Sequence, residues 1–175
     1  MFLDNPTVYE NGNLDLRGVV MSVRYWLFKS EPGSYSYDDL VRDGLAEWDG
    51  VRNFQARNFL RDEIKSGDRV LFYHSNSNPS SVIGTAIVVK DGYPDYTAWD
   101  TNSDHPDPKS TPDNPIWYMV DIKAVEYFDT MVTLKQIRDE PTLSDMVLLR
   151  KGSRLSVQPV TEHQYHTISK IGNPS

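Results

Sequence analysis

The sequence contains no cysteine, and this absence excludes several kinds of chemistry. Its 175 residues offer no thiol for a disulfide, for thiolate catalysis or for a cysteine-bound zinc site. The cellular compartment stays open, because many proteins in every compartment lack disulfides. Histidine is sparse as well. His163 and His166 lie three residues apart on a predicted helix but have no third ligand at a matching spacing, so we expect no metal site.

Long apolar runs and glycine-rich phosphate loops are also missing. No stretch approaches the roughly 20 apolar residues that a membrane-spanning helix needs. Asp4 and Glu10 stand where a secretory signal would be basic and then apolar. Gly84 has no second glycine at the spacing of a phosphate loop. We therefore expect an intracellular protein without a cofactor or a membrane contact, cytoplasmic in a bacterium or nuclear in a eukaryote.

Positive charge is scarce and unevenly distributed. The net charge of −7 argues against a protein that wraps long duplexes, because that mode needs a broad cationic face. Residues 91–114 hold six acidic side chains and only one lysine, whereas residues 148–157 hold Arg150, Lys151 and Arg154 with no acid. A local cationic site on an acidic protein is compatible with this pattern.

What the sequence does contain is a series of short strands and capped helices. Alternating or aromatic runs predict strands at residues 25–28, 69–74, 82–89, 116–128 and 153–160. Ser36, Asn53, Thr133 and Thr161 stand where N-caps begin helices. The count predicts an α+β fold: a small, partly closed, mixed or antiparallel β-barrel of five to six strands with short flanking helices. Residues 1–21 are expected to be a poorly ordered extension of a domain spanning 22–175.

The segment from Trp48 to Asn58 concentrates polar groups beside an aromatic ring. A turn at Asp49-Gly50 follows Trp48, and Asn53 can cap the next helix. An aromatic face beside hydrogen-bonding groups suits a nucleobase. Arg154 and Ser156 alternate in the last predicted strand, so they would share a face that can grip a phosphate. A buried tryptophan, an ordinary cap and a surface arginine would explain the same residues without any function.

Four motifs in register resemble the EVE domain family. They are YWLFKSEP at residues 25–32, WDGVRNFQARN at 48–58, FYHS at 72–75 and SRLSVQPV at 153–160, and the resemblance covers the chain from about residue 22. It implies a PUA-like fold related to the YTH readers of methylated adenine. It also implies a pocket for a modified base, either a modified cytosine in DNA or a modified RNA base. By this resemblance the pocket would be formed by Lys29, Ser30, Trp48, Asn53, Tyr73, His74, Ser75, Arg154 and Ser156.

Three hypotheses follow. The first is a non-enzymatic reader that stacks a modified, single-stranded or flipped base on Trp48, reads its edge with Ser30, Asn53 and His74, and contacts a phosphate with Arg154. The second is a small enzyme acting on a nucleotide or modified base with His74 as general base. The third is an interaction module whose acidic loop, residues 91–115, contacts a protein partner. The oligomeric state and the choice between DNA and RNA stay open.

Overall fold

The computed structural model describes residues 22–174, so the predicted extension at 1–21 lies outside the described residues. These residues contain six strands: β1 (Tyr25–Ser30), β2 (Ala46–Glu47), β3 (Arg69–His74), β4 (Ser81–Pro94), β5 (Tyr118–Thr133) and β6 (Val157–Val160). Four α-helices accompany them in the same part of the chain: α1 (Tyr37–Asp43), α2 (Phe54–Asn58), α3 (Leu134–Asp139) and α4 (Glu162–Gly172). The predicted α+β class and strand number are confirmed.

The strands form one mixed sheet in the order β2-β5-β4-β3-β1-β6. β1 runs parallel to β3, and the other neighbours are antiparallel. The prediction of a partly closed barrel is wrong, because β2 and β6 lie at opposite edges and do not pair with each other. The long β4–β5 ladder shifts register at four places, and such bulges bend and twist a sheet without closing it.

The helices begin where the sequence places its caps. Capping boxes open α1 at Ser36, α3 at Thr133 and α4 at Thr161, each with the N-cap side chain accepting a hydrogen bond from the third residue of the helix. The Asn53 side chain accepts from the Ala56 amide at 3.0 Å and opens α2, which continues into a π-helical turn. Gly44 ends α1 with a φ of 73°, a conformation that costs glycine little.

Two hydrophobic clusters lie on the two faces of the sheet. Because successive strand residues point to opposite faces, Phe28 and Phe72 enter the first cluster, with α1 and α2, while Leu27 and Tyr73 enter the second, with α3 and α4. Trp48 belongs to the first cluster. Trp48 and Tyr73 are therefore separated by the sheet.

Two segments differ from the prediction. The last strand begins at Val157, four residues later than expected, so Arg154 and Ser156 are not strand neighbours. The long acidic loop begins later too, because β4 continues to Pro94 and a 3₁₀ helix follows at Tyr96–Ala98. No helix in residues 22–174 combines the length and apolar character needed to cross a membrane.

Candidate functional site

A cleft of about 1080 Å³ opens on the side of the sheet that carries Trp48. Its walls come from the end of β1, the connection from β2 to α2, the segment after β4, and the residue before β6. The residues that line it include Lys29, Ser30, Trp48, Asp49, Gly50, Arg52, Tyr96, His105 and Ser156.

Trp48 lines the cleft as a rigid aromatic group. Its side chain is 8% exposed and packs against Phe28, with ring centroids 5.2 Å apart, and edge-on against Phe72 at 5.6 Å. Tyr35 approaches from the cleft side at 6.5 Å in a T-shaped arrangement. The backbone amide of Trp48 donates to the Val120 carbonyl at 2.8 Å. The indole is thus held in place from behind while it contributes to the cleft surface.

The turn after Trp48 depends on Gly50. Its φ of 71° lies in the left-handed region, and a Cβ atom placed there would lie 2.5 Å from Cδ2 of His105. The Gly50 amide donates to Asp95 Oδ2 at 3.0 Å. Glycine therefore allows the turn to approach the segment after β4, and the two walls of the cleft meet at this point.

Arg52 and Asp95 join these two walls. Nη1 of Arg52 donates to Oδ2 of the fully buried Asp95 at 2.7 Å, while Nε and Nη2 donate to the His105 carbonyl. Burial opposes ionisation of Asp95. Hydrogen bonds from Arg52, Thr97 and Gly50 together outweigh it and hold the pKa of Asp95 below its usual value.

Lys29, Ser30 and Ser156 form the wall at the end of β1. The Lys29 amide donates to the Ser156 carbonyl at 2.8 Å, which fixes the two segments side by side. The Lys29 ammonium is half-buried, and burial lowers its pKa. It makes no ion pair with any residue in 22–174. The Ser30 hydroxyl donates to the Tyr35 carbonyl at 2.6 Å, so its oxygen keeps acceptor capacity for a ligand.

The other predicted site residues do not line this cleft. Asn53 uses its side chain as the N-cap of α2. Tyr73 is 3% exposed in the cluster on the opposite face. The Ser75 amide donates to the Ser30 carbonyl at 2.9 Å, so Ser75 supports the wall through its backbone. Arg154 is exposed two residues before Ser156, outside the strand that was expected to hold it.

His74 has a structural partner. Its Nε2 accepts a hydrogen bond from the Tyr37 amide at 3.1 Å, and its ring packs edge-on against Phe72. Burial lowers its pKa more than the nearby Asp38 raises it, which favours the neutral ring. The lone pair that a general base would need is occupied by the first residue of α1.

Sequence reasoning missed the contribution of the segment after β4. Tyr96 donates through its hydroxyl to Glu47, and His105 packs on Gly50, so this segment builds one wall of the cleft. The only local signal was the Asp49-Gly50 turn. Nothing near Asp95 in the chain indicates that it will bind Gly50 and Arg52, more than 40 residues earlier.

The cleft carries more acidic than basic groups. Its lining includes the carboxylates of Glu31, Asp43, Glu47, Asp49 and Asp104 against the cations of Lys29 and Arg52. Among the described residues, no group of three or more histidine, aspartate or glutamate side chains could hold a metal ion. The arrangement therefore offers hydrogen-bond acceptors and an aromatic surface.

These observations define an α+β fold in which an aromatic, acceptor-rich cleft lies at the end of a mixed sheet. The EVE domain matches residues 24–171, and the chain belongs to that family. The resemblance inferred from the four motifs is thereby confirmed.

Relatives and solved structures agree with this assignment. Thymocyte nuclear protein 1 of Homo sapiens is 38% identical over 166 residues, which cover 84% of this chain and 73% of that protein. A hypothetical protein from Leishmania major is similar in structure, with a TM-score of 0.82 at 44% identity, over 86% of this chain and 95% of that one. Human THYN1 protein in complex with 5-methylcytosine-containing DNA gives a TM-score of 0.80 at 36% identity, over 85% of this chain and 97% of the other.

Proposed function

We propose that this protein is a non-enzymatic reader that holds a modified nucleobase in the Trp48 cleft. The observation that carries the proposal is Trp48 itself, an indole braced by Phe28 and Phe72 on the wall of an open cleft. The human relative solved with 5-methylcytosine-containing DNA supports this base as the first candidate. A modified base in RNA is the second. A base in a duplex would have to leave the stack before it could enter the cleft.

A braced indole favours a flat ligand. Because Trp48 is already packed, stacking a base on it costs little side-chain ordering. Base–aromatic stacking contributes about 1–3 kcal/mol per base. A methyl group that becomes buried in the cleft adds about 0.8 kcal/mol, which corresponds to roughly a fourfold gain in affinity. Methylation of the base would thus raise its affinity modestly, in addition to the stacking on Trp48.

The charge of the cleft favours the base rather than the phosphate. Carboxylates repel phosphate oxygens but accept hydrogen bonds from the exocyclic amine of cytosine. Asp49, adjacent to Trp48 in the chain and also in the cleft lining, is the carboxylate we propose for this contact. Lys29 is the donor proposed for a ring acceptor or carbonyl of the base. Phosphates would stay outside, where the exposed Arg154 stands beside Ser156.

The enzyme hypothesis has less support. A general base needs a free lone pair facing the ligand. His74 shares its Nε2 lone pair with the Tyr37 amide and is not among the side chains of the cleft lining. The protein-partner hypothesis is also less favoured than a role in the cleft wall, since residues 96–105 pack against the Trp48 turn. A nucleic-acid reader would be intracellular, nuclear in a eukaryote or cytoplasmic in a bacterium.

The test is a binding titration with labelled oligonucleotides that differ in one base. Cytosine, 5-methylcytosine, 5-hydroxymethylcytosine and N6-methyladenine are compared in single strands and duplexes by fluorescence anisotropy. We expect one modified base to bind about fourfold tighter than its parent, or better. Trp48→Phe, which keeps a smaller aromatic ring, should weaken binding to the modified oligonucleotide. Trp99→Phe, a tryptophan outside the cleft lining, is the matched control.

Equal affinity across the whole panel, with the protein shown to be folded, would remove the proposal. Equal affinity of the wild type and Trp48→Phe would leave a reader but remove Trp48 as its stacking surface. Turnover of a nucleotide that is lost in His74→Ala would replace the reader by the enzyme hypothesis.

A further inference from the structure

A second aromatic surface lies beside the cleft and is not part of its lining. Phe54, the first residue of α2, is 61% exposed, the largest exposed fraction of any large hydrophobic side chain in the described residues. It nevertheless has a fixed position, because its ring stacks on Trp117 with centroids 4.9 Å apart and planes inclined by 28°. Phe54 thus combines high exposure with a defined packing partner, and an exposed aromatic ring that is held in place can stack on a nucleobase.

The groups beneath Phe54 are held rigidly. Trp117 is 6% exposed, and its indole nitrogen donates to Asp107 Oδ2 at 2.6 Å. The Arg57 guanidinium lies 5.1 Å from the Phe54 ring centroid and donates through Nη1 to the Ile116 carbonyl at 2.6 Å. Phe54, Arg57 and Trp117 together are called the aromatic–arginine platform below.

The platform is continuous with the cleft wall. Arg52 belongs to the cleft lining, and its guanidinium lies 5.5 Å from the Trp117 ring centroid. The same indole therefore contacts the cleft arginine and the exposed phenylalanine. A strand with one base in the cleft would therefore have this surface as its neighbour.

The platform contributes one cation, Arg57, and the Asp107 carboxylate contacts its Trp117 indole. Arg57 makes no ion pair with a carboxylate in residues 22–174, and its Nη2 has no hydrogen-bond partner there. Arg61, on the following helical turn, forms an ion pair with its neighbour Asp62. On a protein with a net charge of −7, a cation kept free beside an exposed aromatic ring complements a phosphate and a base.

We propose that the aromatic–arginine platform binds the nucleotide next to the base held in the cleft, with Phe54 stacking on the neighbouring base and Arg57 contacting a phosphate. This inference rests on the proposed function, because it needs a base in the cleft. It assigns separate tasks to two surfaces: the cleft selects the base, and the platform binds the strand through Phe54 and Arg57.

Two ligands separate the tasks. The mononucleotide 5-methyl-2′-deoxycytidine 5′-monophosphate reports on the cleft alone, and a single-stranded oligonucleotide with one 5-methylcytosine reports on both surfaces. Phe54→Ala should weaken oligonucleotide binding roughly tenfold and leave mononucleotide binding unchanged, because only the flanking base is lost. Phe54→Trp should retain the oligonucleotide affinity. Trp48→Phe should weaken both ligands.

Salt dependence tests Arg57 separately. Arg57→Gln should reduce the slope of the logarithm of the binding constant against the logarithm of salt concentration by about 1. Arg138→Gln, an exposed arginine on α3 outside the cleft lining and the platform, should leave the slope unchanged.

Unchanged oligonucleotide affinity in Phe54→Ala would overturn the inference while leaving the cleft proposal intact. Equal losses for both ligands in Phe54→Ala would also overturn it, because they would indicate a distorted cleft. A wild-type protein that does not distinguish methylated from unmethylated oligonucleotides would remove the proposed function and the flanking contact with it.

Discussion

Arg52 and Asp95 form a partly buried ion pair, with 2.7 Å between Nη1 and Oδ2, across two segments that are 43 residues apart in the chain. The Asp95 side chain is fully buried and that of Arg52 is 23% exposed. Asp95 also accepts from the Gly50 amide. The pair therefore fixes the Trp48 turn against the wall that includes His105, and the shape of the cleft depends on it.

Removing the arginine should be costly at neutral pH. Arg52→Met leaves a buried carboxylate without its cation, which we expect to lower the free energy of unfolding by on the order of 3 kcal/mol. Arg52 is one of the groups that lower the pKa of Asp95, so this pKa should be higher in the variant than in the wild type. Protonation of Asp95 at lower pH then removes the unpaired charge from the variant. Urea unfolding should thus show a smaller difference from wild type near pH 4 than near pH 7.

Arg42→Met is the matched control for that experiment. Arg42 pairs with Asp39 and Asp43, but its side chain is 66% exposed. Such an exposed pair should contribute little to stability, because solvent screens both charges. A difference between Arg52→Met and wild type that is no larger than this control, or that grows toward pH 4, would contradict the role given to the Arg52–Asp95 pair.

Gly50 should tolerate no side chain. Gly50 and Gly44 have nearly equal φ angles of 71° and 73°, but a Cβ at Gly44 would meet nothing within 4 Å. Gly44→Ala therefore measures the cost of the left-handed backbone alone, about 1–2 kcal/mol. Gly50→Ala should cost more, because its Cβ would meet the His105 ring 2.5 Å away.

Adding His105→Ala to Gly50→Ala isolates the part of the destabilisation that comes from the steric clash with the His105 ring. In a double-mutant cycle measured by urea unfolding, the second substitution should recover the excess over Gly44→Ala. If Gly50→Ala and Gly44→Ala lowered the free energy of unfolding equally, the close approach of the turn to His105 would not affect stability.

Local signals predicted the elements better than the site. α1 begins after its N-cap Ser36 and ends at Gly44, as expected, because capping interactions involve residues that are close in the chain. Tyr73 shows where local reasoning ends. Strand alternation predicts that Tyr73 and Phe72 point to opposite faces of the sheet. Which of these two residues lies on the face away from Trp48 depends on where α3 and α4 pack, and the local sequence does not show this.

The missed wall has a different cause. Asp95 lies among other acidic residues in a proline-rich segment, and the sequence alone gives no reason to single it out. Its partners Gly50 and Arg52 come from a distant turn, so the contact exists only after the sheet has brought β2 and the end of β4 together. Long-range contacts of this kind leave no periodic pattern in the chain.

Replacing Trp48 should destabilise the fold as well as weaken binding. Its indole is 8% exposed and packs on two phenylalanines, Phe28 and Phe72. Trp48→Ala should lower the free energy of unfolding by about 3–5 kcal/mol, a large part of the stability of a small domain. Trp48→Phe should cost clearly less, since a ring stays in the site. Thermal and urea unfolding of both variants would check this, and equal losses would argue against the packing role.

The stability of the protein should also depend on the protonation of His74. Burial lowers its pKa in the folded state below the ordinary value of 6.5, so the unfolded chain takes up a proton first as the pH falls. Stability is then fully present above about pH 6.5 and decreases below it, until the folded state is protonated as well. Protonation would also break the hydrogen bond that Nε2 accepts from Tyr37.

His74→Gln tests this dependence, because an amide oxygen can accept from the Tyr37 amide without titrating. Urea unfolding at pH 7.5, 6.5 and 5.5 should show wild type losing stability relative to the variant as the pH falls. The loss should stay below about 1 kcal/mol per pH unit, because the ring is only half-buried and solvent screens its charge. The values at pH 7.5 give the baseline difference between the two side chains. Parallel curves from pH 7.5 to 5.5 would mean that His74 titrates equally in both states, and the neutral acceptor role would have to be abandoned.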